Sequence, residues 1–138
     1  MSHVIIFQND NGGVAVCIPT GEISIEAVLE KDVPKGKGAR IVDQASLPNQ
    51  DNDFFDAWEM DAQSVTVNID KAKELTKNRL RAERAPLLAA QDVAFQRALE
   101  TGADTTAIVA EKQRLRDITN QADTCTTTAE LRALNCAK

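Results

Sequence analysis

Short apolar runs in the first half of the chain predict a small β-sheet. HVIIF (3–7) and GVAVCI (13–18) are rich in β-branched residues, and the turn-forming segment QNDNGG (8–13) connects them, which is typical of a β-hairpin. ARIVD (39–43) predicts a third strand. SVTVNI (64–69) alternates apolar and polar positions, as a half-buried strand does.

Two short helices are predicted between these strands. EISIEAVLEKDVP (22–34) carries apolar residues at helical spacing, with Ser24 as the expected N-cap and Pro34 as its end. The acidic segment NQDNDFFDAWEMD (49–61) predicts a second helix. We expect its N-cap to be Asp51, Asn52 or Asp53, and its buried face to consist of Phe54, Phe55 and Trp58.

The second half of the chain has a helical period throughout. From Asp70, an expected N-cap, the pattern continues to Thr101 and stops at Gly102. Pro86 predicts either a kink in this helix or a restart of it, and we favour the kink. A second helix is predicted over residues 106–122, and the short connection implies that the two helices pack antiparallel.

These elements together predict an α+β protein. An acidic α+β unit spans residues 1–70 and a helical hairpin spans 71–122. A C-terminal tail over 123–138 contains one more short helix, with Thr127 or Thr128 as its cap.

The long helix has two apolar faces. We call the first the near face, because we expect it to form the hairpin core with the second helix. The near face consists of Leu80, Leu87, Leu88, Phe95, Ala98 and Leu99. We expect it to pack against an apolar stripe on the second helix that consists of Ala107, Ile108, Leu115, Ile118 and Ala122. The second, which we call the back face, consists of Leu75, Ala82, Ala89 and Val93. Small residues there allow close approach of a neighbour, which is either the N-terminal unit or another protein chain.

Charge is divided unevenly along the chain. Residues 1–70 hold 4 basic and 12 acidic side chains, whereas residues 71–138 hold 12 and 9. Near the start of the long helix the near-face stripe becomes basic, and this basic group, which we expect to project beyond the hairpin, consists of Lys73, Lys77, Arg81 and Arg84. No aromatic residue lies between these charges, so we interpret them as groups for internal or intersubunit ion pairing rather than for nucleic acid.

Candidate chemistry is sparse. His3 is the sole histidine and tyrosine is absent, so we expect no catalytic residue, no cofactor and no enzyme activity. Asp56 and Glu59 as a carboxylate pair, and the acidic segment around them as a calcium loop, are both weaker interpretations than helix capping. The apolar runs are too short to cross a bilayer, and no basic region precedes the first of them, so we expect neither a membrane contact nor a signal peptide.

Three cysteines are present, and none forms a Cys-x-x-Cys pair. Cys17 ends a strand-like run and is expected to be a buried apolar side chain. A disulfide between Cys125 and Cys136, or a bridge between subunits, is a hypothesis that requires an oxidising compartment.

The chain up to about Thr119 resembles a family of small proteins encoded by tailed bacteriophages and prophages. The segments that carry the resemblance are LP...FFDAW, RLRAERAPLLAAQDV and KQRLRDIT, whereas the tail ELRALNCAK departs from the family's usual ending. The resemblance implies a virion or virion-assembly protein without catalytic residues.

Two functions therefore stand as expectations. The first is a structural component of a phage particle at the tail, baseplate, fibre attachment point or capsid surface. Such a protein would contact other phage proteins and copies of itself, as a homo-oligomer, in the virion and, during assembly, in the host cytoplasm. The alternative is a tail or fibre assembly chaperone that leaves the particle.

Overall fold

The computed structural model describes residues 2–62 and 64–137. Met1, Gln63 and Lys138, which the predicted units include, lie outside the described residues. The chain divides into two compact units, Met1–Ala72 and Lys73–Lys138, so the predicted hairpin and the predicted tail belong to the same unit. The α+β class predicted from the sequence is confirmed.

The first unit is built on a three-stranded antiparallel sheet. Strands β1 (His3–Gln8) and β2 (Val14–Cys17) form the predicted hairpin, and β3 (Arg40–Asp43) pairs with the other edge of β1. The strand order is β2-β1-β3. The turn is closed by Asn9, whose side-chain oxygen accepts hydrogen bonds from the backbone N–H groups of Asn11 and Gly13.

Both faces of this sheet are covered, which explains why β1 is continuously apolar. Val4 and Ile6 pack with Trp58 on one face, whereas Ile5 packs with Val28 and Val33 on the other. Successive strand residues point to opposite faces, so three adjacent apolar residues can serve two cores. Cys17, predicted to be buried, is half-buried against the second core.

Helix α1 (Ile25–Lys31) begins where the sequence predicts, because the Ser24 hydroxyl accepts a hydrogen bond from the Ala27 N–H at 3.2 Å. The acidic segment differs from its prediction. It forms a 3₁₀ helix over Asn49–Ala57, which starts after Pro48 without a side-chain cap rather than at the expected Asp51, Asn52 or Asp53. A separate 3₁₀ helix, Gln44–Ser46, precedes the segment. Trp58 is buried, but it begins a strand rather than lying on the helix.

That strand, β4 (Trp58–Met60), pairs antiparallel with β5 (Val65–Val67), the strand predicted from SVTVNI. The ring N–H of Trp58 donates to the backbone oxygen of Asp51 at 3.1 Å, so the indole satisfies its polar atom while its ring fills the core. Phe55 lies against Trp58 with ring centroids 4.9 Å apart.

The second unit is helical. It contains most of α2 (Ile69–Thr101), followed by α3 (Thr106–Asp117), α4 (Asn120–Asp123) and α5 (Thr128–Ala133). The helix predicted over 106–122 is therefore shorter than expected and is followed by a separate turn. Thr127 is the cap of α5, as one of the two predictions has it, because its hydroxyl accepts from the Glu130 N–H at 3.2 Å.

The N-cap of helix α2 lies two residues before the predicted one. The side-chain oxygen of Asn68 accepts from the N–H groups of Asp70 and Lys71 at 2.9 and 3.1 Å, so Asn68 is the N-cap and Asp70 lies inside the helix. The helix continues through Pro86 as one element, which rules out a restart there.

A glycine ends α2 by a defined motif. Gly102 has a φ of 72°, its N–H donates to the carbonyl of Leu99, and the N–H of Ala103 donates to the carbonyl of Ala98. This pattern is the Schellman motif, in which a left-handed residue, usually glycine, satisfies the last carbonyls of a helix. The predicted stop at Gly102 is thus confirmed.

Candidate protein-contact site on the long helix

The near face of α2 forms the core of the second unit. Leu80, Leu115 and Ile118 are buried together, and Leu88 packs against them. Lys112 of α3 lies 2.6 Å from the Asp92 carboxylate and 5.2 Å from the centre of the Phe95 ring. Asp92 and Phe95 of α2 thus meet Lys112, whereas Leu80, earlier on α2, packs with Leu115, later on α3. This is the antiparallel arrangement that the short connection predicts.

The predicted burial is wrong for two residues of the near face and for one residue of the facing stripe on α3. Leu87 is 41% exposed and Leu99 is 61% exposed, and Ala107 on α3 is also exposed. Helix α3 covers the middle of a wide stripe, so the side chains at its margins remain in water.

The back face is exposed from its second residue onward. Leu75 is half-buried, whereas Ala82 and Ala89 are exposed and Val93 is 50% exposed. Pro86, which is also exposed, falls on the same line because it lies four residues after Ala82 and three before Ala89. Residues 82–93 of this face form an uncharged strip about 16 Å long.

Pro86 also changes the backbone beneath the strip. Proline carries no N–H, so the carbonyl of Ala82 receives no helical hydrogen bond from the residue four positions later. An exposed acceptor is thus added to a surface that is otherwise apolar. Water or a donor from another molecule is the group that can satisfy it.

Lys73 and Lys77 of the basic group bind inside the second unit. The Nζ of Lys77 lies 2.7 Å from the Asp123 carboxylate, and the Nζ of Lys73 donates to the Asp123 carbonyl at 3.3 Å. The hydrogen bond between Lys77 and Asp123 raises the pKa of Lys77 and lowers the pKa of Asp123. Both lysines thus hold the end of α4.

Arg84 holds the C-terminal end of α3 in the same way. Its guanidinium donates to the carbonyls of Leu115 at 3.3 Å and Arg116 at 2.8 Å, in the last turn of that helix. Cations favour helix C-termini because the free carbonyls there carry partial negative charge. Arg81 donates to the Asn78 side chain at 2.7 Å. The expectation that the basic group projects beyond the hairpin is therefore wrong, because α3 and α4 reach it.

Sequence reasoning missed two arginines. Arg79 donates to the carbonyls of Leu131 and Leu134, and Arg114 donates to the carbonyl of Cys136. These contacts attach the C-terminal segment to the helical unit. The partners are 52, 55 and 22 residues away in sequence, so no local pattern signals them.

The three cysteines are free thiols. The Sγ of Cys125 donates to the carbonyl of Gln121 at 3.3 Å, and the Sγ of Cys136 donates to the carbonyl of Leu80 at 3.5 Å. Burial raises the pKa of both thiols. The hypothetical disulfide between them is not formed, because each sulfur is buried against a different backbone carbonyl.

Glu59, one member of the carboxylate pair considered above, has structural partners. Glu59 accepts a hydrogen bond from the Asn68 side chain and lies 3.1 Å from the Nζ of Lys71, and these contacts lower the pKa of Glu59. A general acid needs the opposite shift. Across residues 2–62 and 64–137, no three side chains of the metal-binding types cluster closely enough to hold an ion.

No helix within the described residues is both long enough and apolar enough to cross a membrane. Comparison of the chain with protein-family models, with curated proteins and with solved structures finds no match in any of the three. The resemblance to phage proteins accordingly stays a prediction.

Proposed function

We propose that this chain is a non-enzymatic structural component of a tailed-phage particle, and that it acts by holding neighbouring proteins through the back face of α2. The single observation that supports the proposal most strongly is the exposure of Ala82, Ala89 and Val93 on the side of the helix opposite Leu80. A helix with one apolar face in its own core and another in water is typical of a protein that packs against a further helix or sheet.

The side chains of this strip favour a helical neighbour. Alanine at positions seven residues apart lets another helix axis come close, and Val93 provides a larger side chain beside them. The four side chains of the strip, Ala82, Pro86, Ala89 and Val93, are uncharged, so a neighbour can cover them without burying an ion.

The internal bonds of the basic group weigh against nucleic acid as the partner. Lys73, Lys77 and Arg84 already bind carboxylate or carbonyl oxygens within the second unit. Phosphate contacts would have to compete with these bonds. Protein surfaces, including those of other copies of this chain, are therefore the partners that we propose.

Quantitative mass spectrometry of purified particles of the encoding phage tests this function. We expect peptides of the chain in a fixed ratio to the major structural proteins, unchanged after a high-salt wash. Peptides that are abundant in the infected-cell lysate but absent from purified particles would overturn the proposal and indicate an assembly chaperone instead.

A further inference from the structure

The last described residues form a separate segment of the helical unit. We call residues 126–137 the strap; α5 lies in its middle. Leu131 and Cys136 are buried and Leu134 is half-buried, whereas most other strap residues are exposed. The strap therefore depends on a small number of anchoring side chains.

The strap is attached through α5, where Leu131 is fully buried, and through the residues that follow it. Leu134 and Cys136 pack against the core of Leu80, Leu115 and Ile118. The guanidinium of Arg79 donates to the carbonyls of Leu131 at 3.2 Å and Leu134 at 2.7 Å. The guanidinium of Arg114 donates to the carbonyl of Cys136 at 2.9 Å.

The strap also has bonds of its own that do not involve α2 or α3. The Glu130 carboxylate accepts from the hydroxyls of Thr126 at 2.9 Å and Thr127 at 3.2 Å, within the strap itself. Helix α5 has six residues, fewer than a helix needs to be stable alone. Its order thus comes from the anchors rather than from its own sequence.

An open cleft adjoins the strap. It has a volume of about 260 Å³ and is lined by Leu87, Ala90, Leu115, Cys136 and Ala137, with polar groups at its margin. Leu115 contributes both to this cleft and to the core beneath the strap. The strap therefore fills one part of the groove between α2 and α3, and the cleft is the unfilled part.

We propose that the strap is a releasable cover, which detaches as a unit while α2 and α3 stay folded. Release breaks the Arg79 and Arg114 bonds, removes Leu134 and Cys136 from the core, and exposes the fully buried side chain of Leu131. It joins the area around Leu80, Leu115 and Ile118 to the open cleft as one apolar groove. Local opening of this kind is expected where few buried contacts hold a segment. The proposal is independent of any role in a phage particle.

The two buried cysteines provide a matched pair of probes. Cys136 lies on the strap and is 4% exposed, whereas Cys125 precedes the strap and is 5% exposed. The native protein is treated with iodoacetamide, the modified fraction of each cysteine is followed by peptide mass spectrometry, and both rates are divided by those of the urea-denatured chain. We expect Cys136 to react at least about tenfold faster than Cys125, with little dependence on low urea concentrations. Equal normalised rates with the same urea dependence would overturn the proposal, because they show that the strap opens only with the rest of the unit.

A second measurement uses neighbouring arginines. Arg79→Gln should increase the Cys136 rate and leave the Cys125 rate unchanged, because Arg79 binds strap carbonyls. Arg81→Gln is the control, since Arg81 bonds to Asn78 on its own helix. The proposal fails if Arg79→Gln accelerates both thiols equally, or if the two variants do not differ.

Discussion

Replacing Leu80 by alanine should destabilise the helical unit by about 3 kcal/mol, whereas replacing Val93 by alanine should change its stability by less than about 0.5 kcal/mol. Leu80 is fully buried against Leu115 and Ile118, so its loss removes apolar burial and leaves a cavity. Val93 is 50% exposed on the opposite side of the same helix. Its truncation loses little burial and gains helix propensity.

Urea unfolding followed by circular dichroism at 222 nm measures both effects. With a denaturant slope of about 1–3 kcal/mol per molar, Leu80→Ala should lower the midpoint of the helical transition by about 1 M or more. Trp58, the sole tryptophan, lies in the first unit, so its fluorescence follows the unfolding of that unit separately. Equal losses for Leu80→Ala and Val93→Ala would refute the distinction between a structural near face and a free back face.

Four further substitutions test the polar contacts. Asn68→Ala should cost about 1 kcal/mol in urea unfolding by removing the cap of α2, whereas Asp70→Ala should cost clearly less. Arg84→Met should cost about 1–2 kcal/mol, because it leaves the last carbonyls of α3 without their charged donor. The folded-state pKa of Asp123 is lowered, so the stability that this carboxylate adds is present above its unfolded pKa of about 3.9 and is lost as the pH falls through the folded value. Asp123→Asn should therefore be less stable than wild type at pH 7, and this deficit should shrink as the pH falls below the unfolded pKa of about 3.9. A deficit that stays constant in acid would contradict the role of the Lys77 ion pair.

Local patterns were sufficient for most elements of the fold. The β1–β2 hairpin, β3, α1 and the stop at Gly102 follow from apolar runs, a serine cap and a glycine, all of which act over a few residues. Strand β4 could not be predicted, because three residues in an acidic segment are too few to show a period. The cap of α2 was misplaced because asparagine and aspartate, two residues apart, are equally good caps.

The candidate site was predictable only in part. Helical spacing placed Ala82, Ala89 and Val93 on one face, and the structure leaves them exposed. The hydrogen-bond partners of the basic group were not predictable. Arg84, for example, binds carbonyls 31 and 32 residues away, and tertiary packing rather than local sequence brings them together. Leu87 and Leu99 have the same helical spacing as buried residues, so their exposure depends on tertiary packing, which local spacing does not show.

Incorporation of Ala82→Glu into phage particles tests the central proposal, that the back face of α2 is covered by another protein, most directly. The matched control is Ala110→Glu, which places the same charge at an exposed alanine on α3. Both variants should fold as the wild type does by circular dichroism, since both positions are in water in the isolated chain. We predict that Ala110→Glu is present in purified particles at the wild-type copy number, whereas Ala82→Glu is reduced by about tenfold or more because its carboxylate would be buried without a partner. Equal copy numbers of the two variants would contradict the account.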